Sequence, residues 1–423
     1  MVVSRTYDIV IFGATGFTGQ YVVEEVARIA DEESGLTWAI AGRNREKMNK
    51  VLVEASKLTG KDLEKIPMIL ADVTEEQSII DMCKQAKLIL NTVGPYRFYG
   101  EKIVKACIDA QTHHIDISGE PQFLEKMQLL YNTKAKESSI YVVGACGWDS
   151  IPADMGVVYL QQNFDGDLNS VENFVGGKSG PKGGGVHFGT WQSAIYGFAH
   201  AGELKKLRSA LFHNSRLPKS QYKIPGRNPI SYSDEVSNWI LPFPGSDKSV
   251  IQRTQRHIYY ELEKKPVQFE AYYRVPSLFA SLVVAFCAIV FGILAKFSFG
   301  RSLLEKYPRI FSLGMFSHEG PTREQVQGAS FSMTFIGKGW DTKLPGMEDH
   351  KEPPNKTMVL KITGPEPGYI ATSTLMVQAA VVVLKETSKL PPPGGVLTPG
   401  IAFAQTSLVE RLSRRNIHFK IEK

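Results

Sequence analysis

The sequence predicts an α/β fold, a Rossmann-type parallel sheet with an inserted α+β second domain that carries a hydrophobic segment. Three observations predict it. Over residues 7–144, short apolar runs of strand type alternate with longer runs of helical spacing. The first strand–helix junction is the glycine turn Gly13-Ala14-Thr15-Gly16-Phe17-Thr18-Gly19. Beyond residue 150 the alternation stops, and an uncharged apolar run fills 275–295.

The first strand is 7–12, and helix 16–30 follows with Val22, Val23, Val26 and Ile29 at helical spacing. Strand and helix then alternate through 37–41 and 45–58, 67–71 and 74–85, 88–92 and 100–110, and 114–117 and 120–131. A sixth strand covers 141–144. This order implies parallel strands joined by right-handed crossovers. Residues 144–156 read as a strand end, a glycine loop and a helix start capped by Asp149 or Ser150. Residues 178–189 are glycine-rich, and 197–249 are polar and loop-rich. Residues 254–270 read as paired strands, 328–336 and 357–363 as further strands, and 370–384 as a helix rich in Ala and Val. A basic amphipathic tail closes the chain.

Composition narrows the class. Of 423 residues, 43% are apolar and 22% charged, which excludes a collagen-like or largely disordered chain. The net charge of +6 suits an anionic cofactor or a membrane surface as well as nucleic acid. The basic residues form no long run interleaved with aromatics, so no nucleic-acid partner is expected. Cys83, Cys107, Cys146 and Cys287 form no C-x-x-C pair, which points to a reducing compartment and no cysteine-built metal site. The first apolar run leads into glycines rather than a cleavage site, so the protein is not expected to be secreted.

The glycine turn carries the chemistry. Its glycines allow a tight turn and close approach of a pyrophosphate, and the helix N-terminus offers N–H groups to the phosphates. A strand before it and a helix after it make the context one of dinucleotide binding. The second strand ends Ala41-Gly42-Arg43-Asn44, with no acid to hold a ribose 2′-hydroxyl. Arg43 can pair with a 2′-phosphate, so NADP(H) is favoured over NAD(H). Asp72, after the third strand, is expected to bond the adenine amine. Thr92, Val93, Gly94 and Pro95, after the fourth, are expected to line the cofactor cleft, although Gly94 and Pro95 equally serve to turn the chain.

Tyr96 follows directly and is the first candidate proton donor. Asp149 and Ser150 are the others, with helix capping as the alternative role. No Tyr-x-x-x-Lys follows the fourth strand to supply a short-chain dehydrogenase pair. Asp116, Ser118, Gly119 and Glu120 end the fifth strand, where Glu120 reads as a cap of the next helix. His113 and His114 are adjacent in a strand and face opposite ways, which makes a poor metal pair.

Together the glycine turn, Ala41-Gly42-Arg43, Asn91-Thr92-Val93-Gly94-Pro95-Tyr96, the 147–156 segment and Gly394-Gly395-Val396-Leu397-Thr398-Pro399 resemble the saccharopine dehydrogenase family, in its saccharopine dehydrogenase-like oxidoreductase branch. The resemblance implies an NADP-binding Rossmann domain (1–150) and a substrate and dimerisation domain (151–370). It also implies a C-terminal return to the first domain (371–423), and a homodimer. The branch is also similar to bacterial trans-acting enoyl reductases, which reduce lipid intermediates. No basic constellation that would hold the carboxylates of saccharopine is recognisable.

The run that opens at Leu278 and closes at Ala295 would reach about 27 Å as a helix, the lower edge of a bilayer core. Lys265 and Arg274 precede it, and Lys296, Arg301 and Lys306 follow, so charge gives it no orientation. A monotopic or hairpin insertion is expected first, then a buried helix, then a span. The expected protein is an NADP(H)-dependent oxidoreductase acting on a hydrophobic small-molecule substrate. It would sit at the cytosolic face of a membrane or on a lipid droplet. The alternatives are a catalytically inactive dinucleotide-binding scaffold at such a surface and a saccharopine-type amino acid dehydrogenase.

Overall fold

Uncharged runs rich in Val, Ile and Ala become strands covered on both faces, and amphipathic runs become the helices that cover them. The computed structural model describes residues 5–422. In chain order the first half holds β1 (Tyr7–Phe12), α1 (Phe17–Ile29), β2 (Trp38–Gly42), α2 (Arg45–Thr59), β3 (Met68–Leu70), α3 (Glu76–Gln85), β4 (Ala86–Asn91), α4 (Tyr96–Asp109), β5 (His113–Asp116), α5 (Pro121–Glu137), β6 (Tyr141–Val143), α6 (Ile151–Asn163), β7 (Asp167–Lys178), β8 (Val186–His187), α7 (Phe188–Ala199) and α8 (Glu203–Leu211). The second half holds β9 (Ser231–Ser233), β10 (Asn238–Pro242), α9 (Asp247–Tyr260), β11 (Gln268–Val275), α10 (Leu278–Lys296), α11 (Ser298–Lys306), α12 (Pro308–Phe311), β12 (Phe316–Ser317), α13 (Arg323–Gln327), β13 (Ser330–Trp340), β14 (Lys356–Pro365), α14 (Thr372–Lys385), β15 (Gly395–Leu397), α15 (Pro399–Phe403), α16 (Leu408–Ser413) and β16 (His418–Ile421). The chain forms two units. One runs to Trp148 and takes back Gly368–Leu412, and the other holds Asp149–Pro367 and the tail from Ser413.

In the first unit seven parallel strands run in the order β15-β6-β5-β4-β1-β2-β3. Strand order reverses between β1 and β4, where open α/β sheets bind ligands. The returning segment supplies the seventh strand, β15, and the buried helix α14. Arg411 and Lys385 both pair with Glu33 at 2.6 Å, which ties that segment to the turn after α1. The segment Pro367–Lys385 is apolar enough to cross a membrane, but 78% of its most apolar stretch is buried, so it is a core element.

In the second unit the main sheet runs β16-β14-β13-β7-β11-β10-β9. β7 and β11 are parallel, and the other neighbours are antiparallel. Two sequence expectations change here. Residues 254–260 lie in α9 rather than a strand, because Val250, Ile251 and Thr254 bury one helical face. The tail does not return wholly to the first unit, because β16 pairs with β14. That pairing covers a strand edge that would otherwise stay open, and the Phe419 ring meets Tyr159 at 5.9 Å.

The two strand histidines are structural. Tyr141 N–H donates to His113 Nδ1 at 3.1 Å, and the Nε2 of His114 lies 3.2 Å from the Asn91 amide. Burial holds His113 down to about 4 and His114 to about 3. The unfolded chain takes up these protons near pH 6.5, while the folded chain does not until far lower. Stability therefore falls as pH drops below about 6.5, by on the order of 1.4 kcal/mol per pH unit for each histidine. Thermal unfolding from pH 7 to 5 should show a steep loss of Tm in the wild type and a shallower one in His114→Gln. Parallel curves would remove His114 from the acid response.

Candidate functional site

The site is built on how closely β1, α1 and β4 approach one another. Gly13 has φ +89°, and a Cβ there would lie 2.7 Å from Thr92 Oγ1. A Cβ on Gly19 would lie 2.2 Å from the Gly13 carbonyl oxygen, so only glycine lets the first turn of α1 rest on the loop. The Gly16 N–H closes the turn onto the Gly13 carbonyl at 2.8 Å. Gly16 is also the N-cap of α1, with no side-chain cap and no acid in the first turn. The N-terminal N–H groups around Phe17 and Thr18 thus keep their positive end for an anion. Ala14 is buried and Thr15 half-buried. The Phe17 ring packs on Tyr369 at 4.7 Å, so its side chain belongs to the scaffold.

β2 and β3 carry the next residues to the same edge. Asn44 caps α2 by accepting from Lys47 N–H at 2.9 Å, which leaves Arg43 outside the helix. Arg43 is exposed and makes no hydrogen bond or ion pair among the described residues. Asp72 Oδ1 accepts from the Thr74 N–H at 2.9 Å and hydroxyl at 2.7 Å. These bonds and the Arg43 charge hold its carboxyl below the usual range, so it presents an ionised acceptor.

At the end of β4, Thr92 Oγ1 donates to the Phe12 carbonyl at 2.9 Å, and Val93 N–H donates to Asn91 Oδ1 at 3.0 Å. Gly94 and Pro95, joined by a cis peptide, lead directly into α4. The helix starts at Tyr96, four residues before the sequence expectation, because its cap comes from a distant residue. Glu120 accepts from Tyr96 N–H at 2.9 Å and Arg97 N–H at 3.1 Å. Glu120 thus caps α4, not the helix that follows it. Asp116 braces the neighbouring loop by accepting from the Ser118 and Ala145 N–H groups.

Tyr96, the first candidate proton donor, is buried at the start of α4. Its hydroxyl donates to the Asn91 carbonyl at 2.9 Å, inside the first unit. Burial, then the Asp116 charge, pushes that hydroxyl well above its ordinary value. It clamps α4 to the end of β4.

Asp149 and Ser150 open the second unit. Asp149 Oδ1 accepts from the Ser246 N–H at 3.1 Å, and the Ser150 and Ser246 hydroxyls meet at 3.0 Å. They hold the start of α9, whereas the sequence expectation was a cap on α6. Asp247, which sequence reasoning missed, faces Asp149. Burial raises both carboxyls, and the Asp149 charge adds to the rise of Asp247. The one sequence signal for Asp247 was a Ser-Asp helix start. The structure therefore gathers Gly13 to Gly19, Arg43, Asp72 and Thr92 to Pro95 on one sheet edge, and leaves Asp149 and Ser150 in the other unit.

Comparison with known proteins agrees with this geometry. Residues 9–143 match the family model described as the saccharopine dehydrogenase NADP binding domain. The saccharopine dehydrogenase-like oxidoreductase of Rattus norvegicus is 46% identical over 99% of this chain and 97% of its own length. The lipid droplet localized protein of Caenorhabditis elegans is 39% identical over 98% of both chains. The solved apo saccharopine dehydrogenase (L-Glu forming) of Saccharomyces cerevisiae shares the fold, with TM-score 0.53 and 12% identity over 99% of this chain and 100% of that one. NADP(H) is the cofactor of the first unit, and the cap-free α1 start and unpaired Arg43 fit its phosphates.

Arg43→Glu should weaken NADPH binding by roughly 100-fold, as loss of a charge-assisted pair and gain of a repulsion. NADH binding should change little. Quenching of tryptophan fluorescence in parallel titrations reads both, and equal losses for the two nucleotides would detach Arg43 from the 2′-phosphate.

Proposed function

Because the chain belongs to the saccharopine dehydrogenase-like oxidoreductases, we propose that it is an NADP(H)-dependent oxidoreductase that acts on a hydrophobic, lipid-type substrate at a lipid surface. One observation carries the proposal, the exposure of α10. This helix has 19 residues, enough by length and composition to cross a membrane, yet only 17% of its most apolar stretch is buried in the protein. Ser281, Phe291 and Ala295 hold it down. The Trp191 ring of α7 meets Phe291 at 4.7 Å. The other faces show Phe279, Phe286, Ile289 and Ile293 to solvent, and Phe299, Ile310, Leu313 and Met315 extend the patch beyond the helix. A core helix would not leave these side chains bare, and each contributes about 1.5–3 kcal/mol when buried in an apolar phase.

Topology favours a helix that lies in the surface over one that crosses it. β11 leads into α10, β13 comes after it, and both pair with β7. The ends of the apolar run are thus both tied to one sheet. Exposed Lys296 and Lys306 flank the patch and suit anionic headgroups, at about 1 kcal/mol each. The name of the Caenorhabditis elegans relative, lipid droplet localized protein, supports a droplet as the place.

Bound NADP(H) supplies or accepts the hydride. The glycine turn and α1 hold its diphosphate, and Arg43 selects the 2′-phosphate.

Flotation with anionic phospholipid vesicles tests the surface. The wild type should rise with the vesicles and Phe286→Asp with Ile289→Asp should not, while NADPH binding is retained. Equal flotation would end the docking reading. Turnover is tested by NADPH oxidation over a panel of enoyl and keto lipids, in which Arg43→Glu should raise the KM for NADPH at least tenfold. Absence of turnover with every lipid would leave a dinucleotide-binding scaffold.

A further inference from the structure

The second sheet carries a guanidinium that no carboxylate among the described residues pairs with. Arg274 sits near the end of β11 and reaches over Gly176 of β7 to β13. A Cβ on Gly176 would lie 2.5 Å from Nη2 and 2.7 Å from Nε, so the missing side chain is what lets the guanidinium lie across the strand. Nη2 donates to the Ser332 hydroxyl at 2.6 Å and the Ser332 carbonyl at 3.1 Å. Both partners are neutral. Nε is buried with no hydrogen-bond partner. No carboxylate among the described residues acts on the group, and burial lowers its pKa. Arg227, two strand positions away across Phe174 and Tyr272, shows the usual alternative, since it is paired to Glu172 at 2.9 Å and to Glu235.

A second cation stands beside it. Side chains alternate along a strand, so Lys178 lies on the same face of β7 as Gly176. In β13 the partner of Gly176 is Ser332 and the partner of Lys178 is Ser330. Lys178 is exposed and has no ion pair among the described residues. A half-buried guanidinium with an orphaned N–H, next to a second unpaired cation and a serine hydroxyl, is arranged for an oxyanion. The apolar helix α10 begins at Leu278, four residues after Arg274 and so within about 14 Å of chain.

We propose that Arg274, with Ser332 and Lys178, binds the carboxylate or phosphate of an amphiphilic ligand whose hydrocarbon chain belongs to the lipid surface. The site deepens the lipid-substrate reading by naming the polar end of the ligand, and it rests on that reading for the apolar end. An oxyanion here satisfies the orphaned Nε and neutralises two cations that the fold leaves uncompensated.

The full chain in neutral detergent is titrated with cis-parinaric acid and with its methyl ester, following polyene fluorescence. The wild type should bind the acid at least tenfold more tightly than the ester, because only the acid carries the charge. Arg274→Met should bring the two within twofold, and Arg274→Lys should restore part of the preference. Lys178→Glu changes an exposed residue and places a carboxylate beside the guanidinium. It should also cut the preference, and it stands in if Arg274→Met fails to fold. Competition separates the sources: lysophosphatidic acid displacing the probe better than oleate assigns a phosphate headgroup, the reverse assigns a fatty carboxylate, and displacement by inorganic phosphate assigns a free anion. Equal affinity for acid and ester, no binding of either, or a preference that survives both variants would overturn the proposal. The titration uses neither NADPH nor vesicles, so failure of turnover or flotation leaves its result intact.

Discussion

The approach of the Gly13 carbonyl to Gly19 organises the first unit. Here a helix start touches the backbone of the loop before it, and a Cβ at Gly19 would stand 2.2 Å from that oxygen. Because α1 begins there, its N–H groups face the point where strand order reverses. The other strand ends fall in step, since β2, β3 and β4 are parallel to β1 and deliver Arg43, Asp72 and Thr92 to the same edge. The N–H groups at this edge are therefore backbone ones, and Arg43, Asp72 and Thr92 are the side chains that stand around them.

Around that edge most acids are already occupied. Glu120 caps α4, Asp116 braces two loops, and Asp72 holds its own turn. The cations are treated differently. Among the described residues neither Arg43 in the first unit, whose charge acts on Asp72 across open space, nor Arg274 in the second forms an ion pair. An unpaired guanidinium near a surface is ordinary when fully exposed. With a buried, partnerless N–H, as in Arg274, it is a cost that a ligand can offset.

The second unit places an apolar helix on its outside. α10 keeps only one stripe for the protein, against Trp191 and its neighbours, and gives the remaining faces to the surroundings. Its two ends are bound to one sheet through β11 and β13, so the helix has no freedom to carry half the chain across a bilayer. Burial separates this helix from Pro367–Lys385, which has a similar length and apolar character but lies inside the first unit.

The amino-acid order by itself determined the parallel Rossmann sheet, the glycine turn, the Arg43 position and the extent of the apolar run. Each of these is local: a period, a spacing or a run length is written in consecutive residues. Tertiary structure decided what depends on residues far apart in the chain. The Tyr96 hydroxyl donates a hydrogen bond to the Asn91 carbonyl, a partner its position did not show, and Glu120 caps α4 rather than the helix after it. Residues 254–260 turned out to be helical, β16 joined the second sheet, and Asp247 came to face Asp149. Whether 278–295 lies inside or outside the protein, and whether Arg274 has a counter-ion, could not be read from spacing. Burial and pairing are properties of neighbours in space, and only the packed sheets bring those neighbours together.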